Sequence, residues 1–151
     1  MKQRIYTNMK GQFVSVAGDS MYPTLLPNDE VFITQKDRYI VGDILVYTYR
    51  SEQYLIHRLL RRVNNRYFCK GDNSFRIEDI SYQDISGKVE FILRDNRIIV
   101  PADVSIEFLR HSLKIGLEFS SISYDRDKIL NSPTYIKYKQ LYLNGDADNE
   151  N

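Results

Sequence analysis

The sequence has no tryptophan, a single cysteine and only four prolines among its 151 residues. Cys69 alone can form neither an intrachain disulfide nor a cysteine-based zinc site, and the residue pattern calls for no metal and no other cofactor. Charge of one sign is also missing, because 21 Lys and Arg against 20 Asp and Glu leave a net charge of +1 with neutral histidines. Domains that work by neutralising nucleic-acid phosphates carry a clear basic excess, so no nucleic-acid partner is expected. Long apolar runs are absent too. The longest charge-free stretch, Ser20 to Asn28, is less than half of the ~20 apolar residues a spanning helix needs. The opening MKQRIYTNMKGQF is basic but lacks the apolar run of a secretory signal. Together these absences point to a cytoplasmic protein, with peripheral membrane attachment as the alternative.

What is present is an ordinary globular composition, 42% apolar and 27% charged. Twelve tyrosines and seven phenylalanines favour half-buried pleated surfaces. The first hundred residues read as short strands between turn signals: Gln12 to Ala17, Val31 to Ile33, Ile44 to Tyr49, Tyr54 to Val63, Arg66 to Lys70, Ile85 to Leu93 and Ile98 to Val100. Asn64-Asn65 suits a two-residue hairpin, since asparagine tolerates positive φ. The expected fold class is mainly β, an antiparallel β domain of barrel or sandwich type over residues 1–101. A helical extension over 102–143 and a disordered acidic tail over 144–151 complete the predicted organisation.

The pattern changes after Pro101. At 100° per residue from Val104, the side chains Val104, Phe108, Ile115, Phe119 and Ile122 fall within roughly 0° to 60°. Ile106, Leu109, Leu113 and Leu117 fall within roughly 140° to 220°. This predicts an amphipathic helix over 104–122 with a wide apolar face. The plain expectation is packing on the β domain; a membrane surface or a second copy of the chain is the alternative for part of the face. Ser132-Pro133 has the form of an N-cap with proline at N1, predicting a second helix to Leu143. Arg58, Arg61, Arg62, Arg66 and Lys70 form an acid-free run interleaved with Tyr67 and Phe68. On adjacent strands this run predicts a basic patch, ordinarily a solvated one, able to attract an acidic peptide or anionic lipid.

The segment that speaks of chemistry is Gly18-Asp19-Ser20-Met21-Tyr22-Pro23-Thr24-Leu25. A serine between a glycine-containing turn and a nearby proline is held in a defined geometry. Its hydroxyl becomes a useful nucleophile only when a base takes its proton. Ile56-His57-Arg58 and Lys70-Gly71-Asp72-Asn73 are the segments that can supply the base and its support.

Taken in order, GDSMYPTL, NDEVFI, VGDILVY, IHRLL, KGDNS and ISGKV resemble the boxes of the signal peptidase I and LexA-like serine peptidase superfamily. The resemblance runs from about Val14 to Ile92; any one box is weakly specific, and the ordered set carries it. It implies a β-rich catalytic domain with a serine nucleophile in the first box. Bacterial signal peptidases and LexA-type proteins have lysine as the general base, whereas endoplasmic-reticulum and archaeal-type enzymes have histidine. His57-Arg58 therefore resembles the serine–histidine branch most closely. Carried over, Ser20 matches the nucleophile, His57 the base and Asp72 the supporting acid, with Asp79 as a further candidate acid. Gly18 stands where many relatives have a serine whose hydroxyl helps to bind the oxyanion, and Gly18 and Asp19 form the turn before Ser20.

The expected function is a serine endopeptidase that cleaves an extended segment of a precursor peptide or protein. Signal peptidases carry an N-terminal membrane anchor for which this sequence has no apolar run, which shifts the expected substrate towards a soluble precursor. Gly18 favours one alternative, a peptide-binding module of the same fold that has lost turnover. A LexA-type regulatory domain is the other, opposed by the histidine base and the short segment before the first strand.

Overall fold

Left-handed turn positions cut the chain into strands close to where the sequence predicts them. The computed structural model describes residues 10–50, 53–119 and 126–144. Its strands are β1 (Gln12–Ser15), β2 (Glu30–Thr34), β3 (Ile44–Tyr49), β4 (Gln53–Val63), β5 (Arg66–Lys70), β6 (Glu78–Ser81), β7 (Ile85–Arg94) and β8 (Arg97–Ile99). All pair antiparallel, in the order β1-β2-β7-β3-β4-β5-β6, with β8 on β7. Asn64 adopts φ 54° in the β4–β5 hairpin, and Asp95 and Asn96 adopt φ 51° and 62° between β7 and β8. Two successive positive φ values give the turn whose twist matches a two-residue hairpin. The strand absent from the sequence reading is β6, Glu-Asp-Ile-Ser, in which two acids mask the β signal.

The central strands are buried on both faces, so they read as continuous apolar runs rather than as an alternation. Ile44, Val46 and Ile56 enter one core with Val16, Met21, Leu25, Val31, Ile33, Val89 and Ile92. Leu45, Tyr47 and Leu59, one residue out of phase, enter a second core with Tyr39, Tyr67, Cys69, Ile80 and Ile85.

The helical part begins at α1 (Ile106–Phe119), followed by α2 (Arg126–Leu130) and α3 (Pro133–Tyr138), which runs on into a π-helical turn over Lys139–Leu143. Ser105 and Ser132 accept from the backbone N–H groups of Phe108 and Tyr135, at 3.0 and 3.2 Å, and cap α1 and α3. The wide apolar face of α1 is split in two. Phe108 and Ile115 are buried with Ile129, Tyr135, Tyr138 and Leu143, and Phe119 packs beside them. Ile106 and Leu117, on the other arc, remain 68% and 59% exposed. The end of the predicted helix at Ile122 and the predicted tail after Asn144 lie outside the described residues. Helix α2 falls where no helix was predicted. Among the described residues no helix is long and apolar enough to cross a membrane.

Gly87 sits where β7 passes between β2 and β3, and a Cβ there would meet the Thr34 carbonyl oxygen at 2.9 Å and its carbon at 3.1 Å. Backbone cannot yield as a side chain can, so Gly87→Ala is expected to lower stability by about 1–3 kcal/mol. Urea unfolding of the two proteins checks this, and equal midpoints would contradict it.

Candidate active site

Ser20 is held by what flanks it. Met21 and Leu25 are inserted in the first core, with relative exposures of 2% and 0%, and the Leu25 N–H donates to the Met21 carbonyl at 2.9 Å. Before them, Gly18 takes φ 79°, and the Tyr22 N–H closes on the Asp19 carbonyl at 3.0 Å. After them, Asp29 receives the Leu26 N–H at 2.8 Å and two bonds from the Arg94 guanidinium at 2.8 and 2.7 Å. The segment is thus pinned at both ends, and Ser20, half-buried, lies between the pins.

Strand register brings His57 to it. His57 lies opposite Leu45 on β3, which places Tyr47 diagonally beside it on the same face. Leu59, two residues further along that face of β4, lies opposite Cys69, and Cys69 lies opposite Glu78 on β6. The outcome is a chain of contacts. Ser20 Oγ is 3.1 Å from His57 Nε2, and His57 Nδ1 is 2.7 Å from Glu78 Oε1. The Tyr47 hydroxyl donates to the same carboxylate oxygen at 2.7 Å and lies 3.0 Å from His57 Nδ1. A carboxylate only accepts, so the ring proton sits on Nδ1 and leaves the Nε2 lone pair to accept from the serine hydroxyl. Burial, with the nearby Cys69 and Glu78 adding to it, raises the Tyr47 pKa far above its ordinary value, which keeps this hydroxyl a donor.

Neither acid carried over from the resemblance touches His57. Asp72 is buried and forms a two-toothed ion pair with Arg58, Nε to Oδ1 and Nη2 to Oδ2, both 2.9 Å. Its Oδ2 also receives the Thr24 hydroxyl at 2.8 Å. Asp79 is on the surface, 2.7 Å from Arg66. The residue that sequence reading missed is Glu78, and a signal for it existed. Side chains alternate along a strand, so the apolar Ile80, facing the core, puts Glu78 on the inner face and Asp79 on the outer one. Gly18 and Asp19 do lie in the turn before Ser20. Asp19 offers its carbonyl to Tyr22 and, at 3.1 Å, to the Asn73 side chain.

The predicted basic run does not form one patch, although Arg61 and Arg66 share a face of the β4–β5 hairpin. Arg58 and Lys70 are interior, Arg66 is paired with Asp79, and Arg62 lies over the Tyr67 ring at 5.7 Å. Strand alternation and α1 cover what the linear run suggested was one face.

A cleft of about 320 Å³ runs past the serine, walled by Val16 to Gly18 and Met21 on one side and by Gln53 to Ile56 on the other. Strand β4 pairs with β3 along this stretch and with β5 only from Arg58 onward, and β1 pairs only with β2. Among the described residues, the β4 wall therefore keeps a strand edge without a strand partner, while the facing wall continues β1, whose Ser15 carbonyl accepts from the Tyr54 hydroxyl at 2.9 Å.

The Peptidase S24-like family model matches residues 2–92. The chain belongs to the Peptidase S24-like family. No curated protein and no solved structure matches the chain. Membership places the chain in the LexA and signal peptidase superfamily, and the chemistry that it implies is that of a serine peptidase. Ser20, His57, Asp72 and Glu78 all fall within the S24-like segment, whereas α1, α2 and α3 follow it.

Lys70 is a second interior cation, fully buried, donating to the Gly71 carbonyl and to the Ser112 hydroxyl, each at 2.9 Å. Burial lowers its pKa from 10.5 to about 7, against the pull of Asp72 and Glu78 and with the help of Arg58. Between the two values the unfolded chain holds a proton that the folded one has released, so stability rises with pH. Lys70→Met should flatten the rise in urea midpoint between about pH 7 and 8.5, a window below the ordinary range in which cysteine and tyrosine titrate; an unchanged slope would contradict it. Asp72→Asn leaves the Arg58 charge buried and unpaired, and is expected to cost about 3–5 kcal/mol in the same assay. A loss below 1 kcal/mol would show that Arg58 finds another partner.

Proposed function

We propose that the protein is a serine endopeptidase of the serine–histidine type, with Ser20 as nucleophile, His57 as general base and Glu78 orienting His57. The observation that carries this reading is the continuous Ser20–His57–Glu78 contact chain, at 3.1 and 2.7 Å. In this reading Ser20 Oγ attacks the scissile carbonyl while His57 Nε2 takes its proton. The tetrahedral intermediate collapses as the imidazolium returns that proton to the leaving amine, giving an acyl-enzyme. Water, deprotonated by the same nitrogen, then releases the acid and restores Ser20. Glu78 keeps the tautomer in place and stabilises the imidazolium as it forms. Lys70, the residue type used as base in other branches, is engaged by Gly71 and Ser112 and has no contact with Ser20.

The substrate is an extended segment of a precursor peptide or protein. The unpaired β4 edge of the cleft suits a chain that binds by strand addition, with main-chain bonds giving affinity and side-chain pockets giving selectivity. A second reading rests on Gly18, which has no side chain where relatives offer a hydroxyl. Loss of one oxyanion donor costs about 2.7–4 kcal/mol of transition-state stabilisation, so a peptide-binding module with little turnover is the competing function.

A fluorophosphonate probe followed by intact mass separates the two. The wild-type protein is expected to take up one equivalent on Ser20. Ser20→Ala is expected to take up none, and His57→Ala and Glu78→Gln to slow labelling by about a hundredfold or more. Asp79→Asn should label at the wild-type rate. An unlabelled wild-type protein would favour the binding module, and a Glu78→Gln variant as fast as wild type would remove Glu78 from the mechanism.

A further inference from the structure

The loop from Gly71 to Ile77, between β5 and β6, has two sides. One side holds the serine. The Asn73 N–H donates to the Ser20 carbonyl at 2.8 Å, and the Asp72 N–H lies 3.3 Å from Met21 Sδ. Gly71 fits so closely that a Cβ there would stand 2.4 Å from the Ser20 carbonyl oxygen and 3.1 Å from His57 Cδ2. Only glycine lets the loop approach both partners.

The other side belongs to the helices. The Tyr138 hydroxyl donates to the Asp72 carbonyl at 2.5 Å. Lys70 Nζ joins the Gly71 carbonyl to Ser112 on α1 and lies 5.1 Å from the centre of the Tyr138 ring. The Phe75 ring packs edge-on against Tyr135 at 5.1 Å, and Ile77 fills the space over Gly116. Each of these contacts runs to a helix that follows the S24-like segment, and the Gly71 carbonyl also accepts the Ser74 N–H at 3.0 Å.

We infer that the helical extension is a positioning element for the active site, acting through Tyr138 and through Ser112 with Lys70 on the Gly71–Asn73 backbone, which in turn sets Ser20 against His57. This deepens the peptidase reading and rests on it for its effect on rate. Neither Tyr138 nor Ser112 touches Ser20 or His57 in these contacts, so both are positioning residues. Removing the Tyr138 hydroxyl frees the Asp72 carbonyl, lets the peptide units on either side of it rock, and loosens the Asn73 bond to Ser20. A small misplacement of a nucleophile is enough to slow a reaction that depends on a near-attack geometry.

The test uses the full chain and two readouts. Tyr138→Phe keeps the ring and its packing and removes only the hydroxyl. Amide exchange followed by NMR is expected to quicken about fivefold at Asn73, the size of one ordinary hydrogen bond, while the Cys69 amide within the sheet keeps its wild-type rate. Fluorophosphonate labelling of Ser20, per folded molecule, is expected to slow by about tenfold. Ser112→Ala, which removes the partner of Lys70 on α1, is expected to move both readouts in the same direction. Ile136→Ala, exposed on α3, should move neither. Unchanged Asn73 exchange in both Tyr138→Phe and Ser112→Ala overturns the inference whatever the labelling does. So does faster exchange accompanied by wild-type labelling, because the helices would then merely pack. Equal quickening at Cys69 would mean general destabilisation and would also overturn it. A wild-type protein that takes no label removes the peptidase reading instead, and the exchange arm then decides the inference alone.

Discussion

The two-toothed ion pair between Arg58 and Asp72 is the constraint around which the site is built. Both side chains are only 2% exposed, and each makes a further bond: Arg58 to the Gly42 carbonyl at 2.9 Å and Asp72 to the Thr24 hydroxyl. One guanidinium thereby ties β4 to the turn before β3, to the loop after β5 and, with the Phe108 ring 5.6 Å away, to α1. Such a pair adds little net stability compared with an apolar filling of the same volume, but its planar geometry admits one arrangement and penalises others. Here the arrangement it selects keeps the Gly71–Asn73 loop beside Ser20. His57 and Arg58 are neighbours on β4 and point to opposite faces, so a single strand delivers the imidazole to one side and the ion pair that frames the Gly71–Asn73 loop to the other.

That division explains how far the sequence could be read. The turns at Asn64 and Asp95-Asn96, the apolar runs of β3 and β4, and the serine between Gly18 and Pro23 are local signals, and each was legible. The partner of His57 was not. Asp72 lies in a motif that marks an acid, and its carboxylate answers to a cation one residue away from the histidine along the same strand. Alternation with Ile80 gives the inward face of Glu78, but its distance from His57 is set by the successive registers of β3, β4, β5 and β6, which no local pattern shows. The same long-range pairing turned a linear run of cations into two interior residues, Arg62 over the Tyr67 ring, and Arg61 with Arg66 on the other face of the hairpin. Charge counted along the chain says nothing about the side of the sheet on which each charge falls.

The helices pose the complementary case. Their amphipathic pattern was readable, but which arc of α1 would be covered depended on the helices that follow it. The Phe108–Ile115 arc is covered by Ile129, Tyr135, Tyr138 and Leu143, while Ile77 and the Lys70 methylenes meet α1 at Gly116. The consequence is that an interior lysine, costly to keep charged without water, is enclosed between a strand, a serine hydroxyl and an aromatic face. The helical extension and the Gly71–Ile77 loop therefore share one buried polar network, not two separate packings.

In the proposed mechanism Glu78 fixes the tautomer of His57 so that its Nε2 faces Ser20 unprotonated. The nitrogen-15 NMR spectrum of the ring, in full-length protein labelled at histidine, reads this tautomer. The His57 proton is expected on Nδ1, Glu78→Gln is expected to change this ring's signals, and Asp79→Asn is expected to leave them as they were. A proton on Nε2, or a His57 spectrum indifferent to Glu78→Gln, would contradict it.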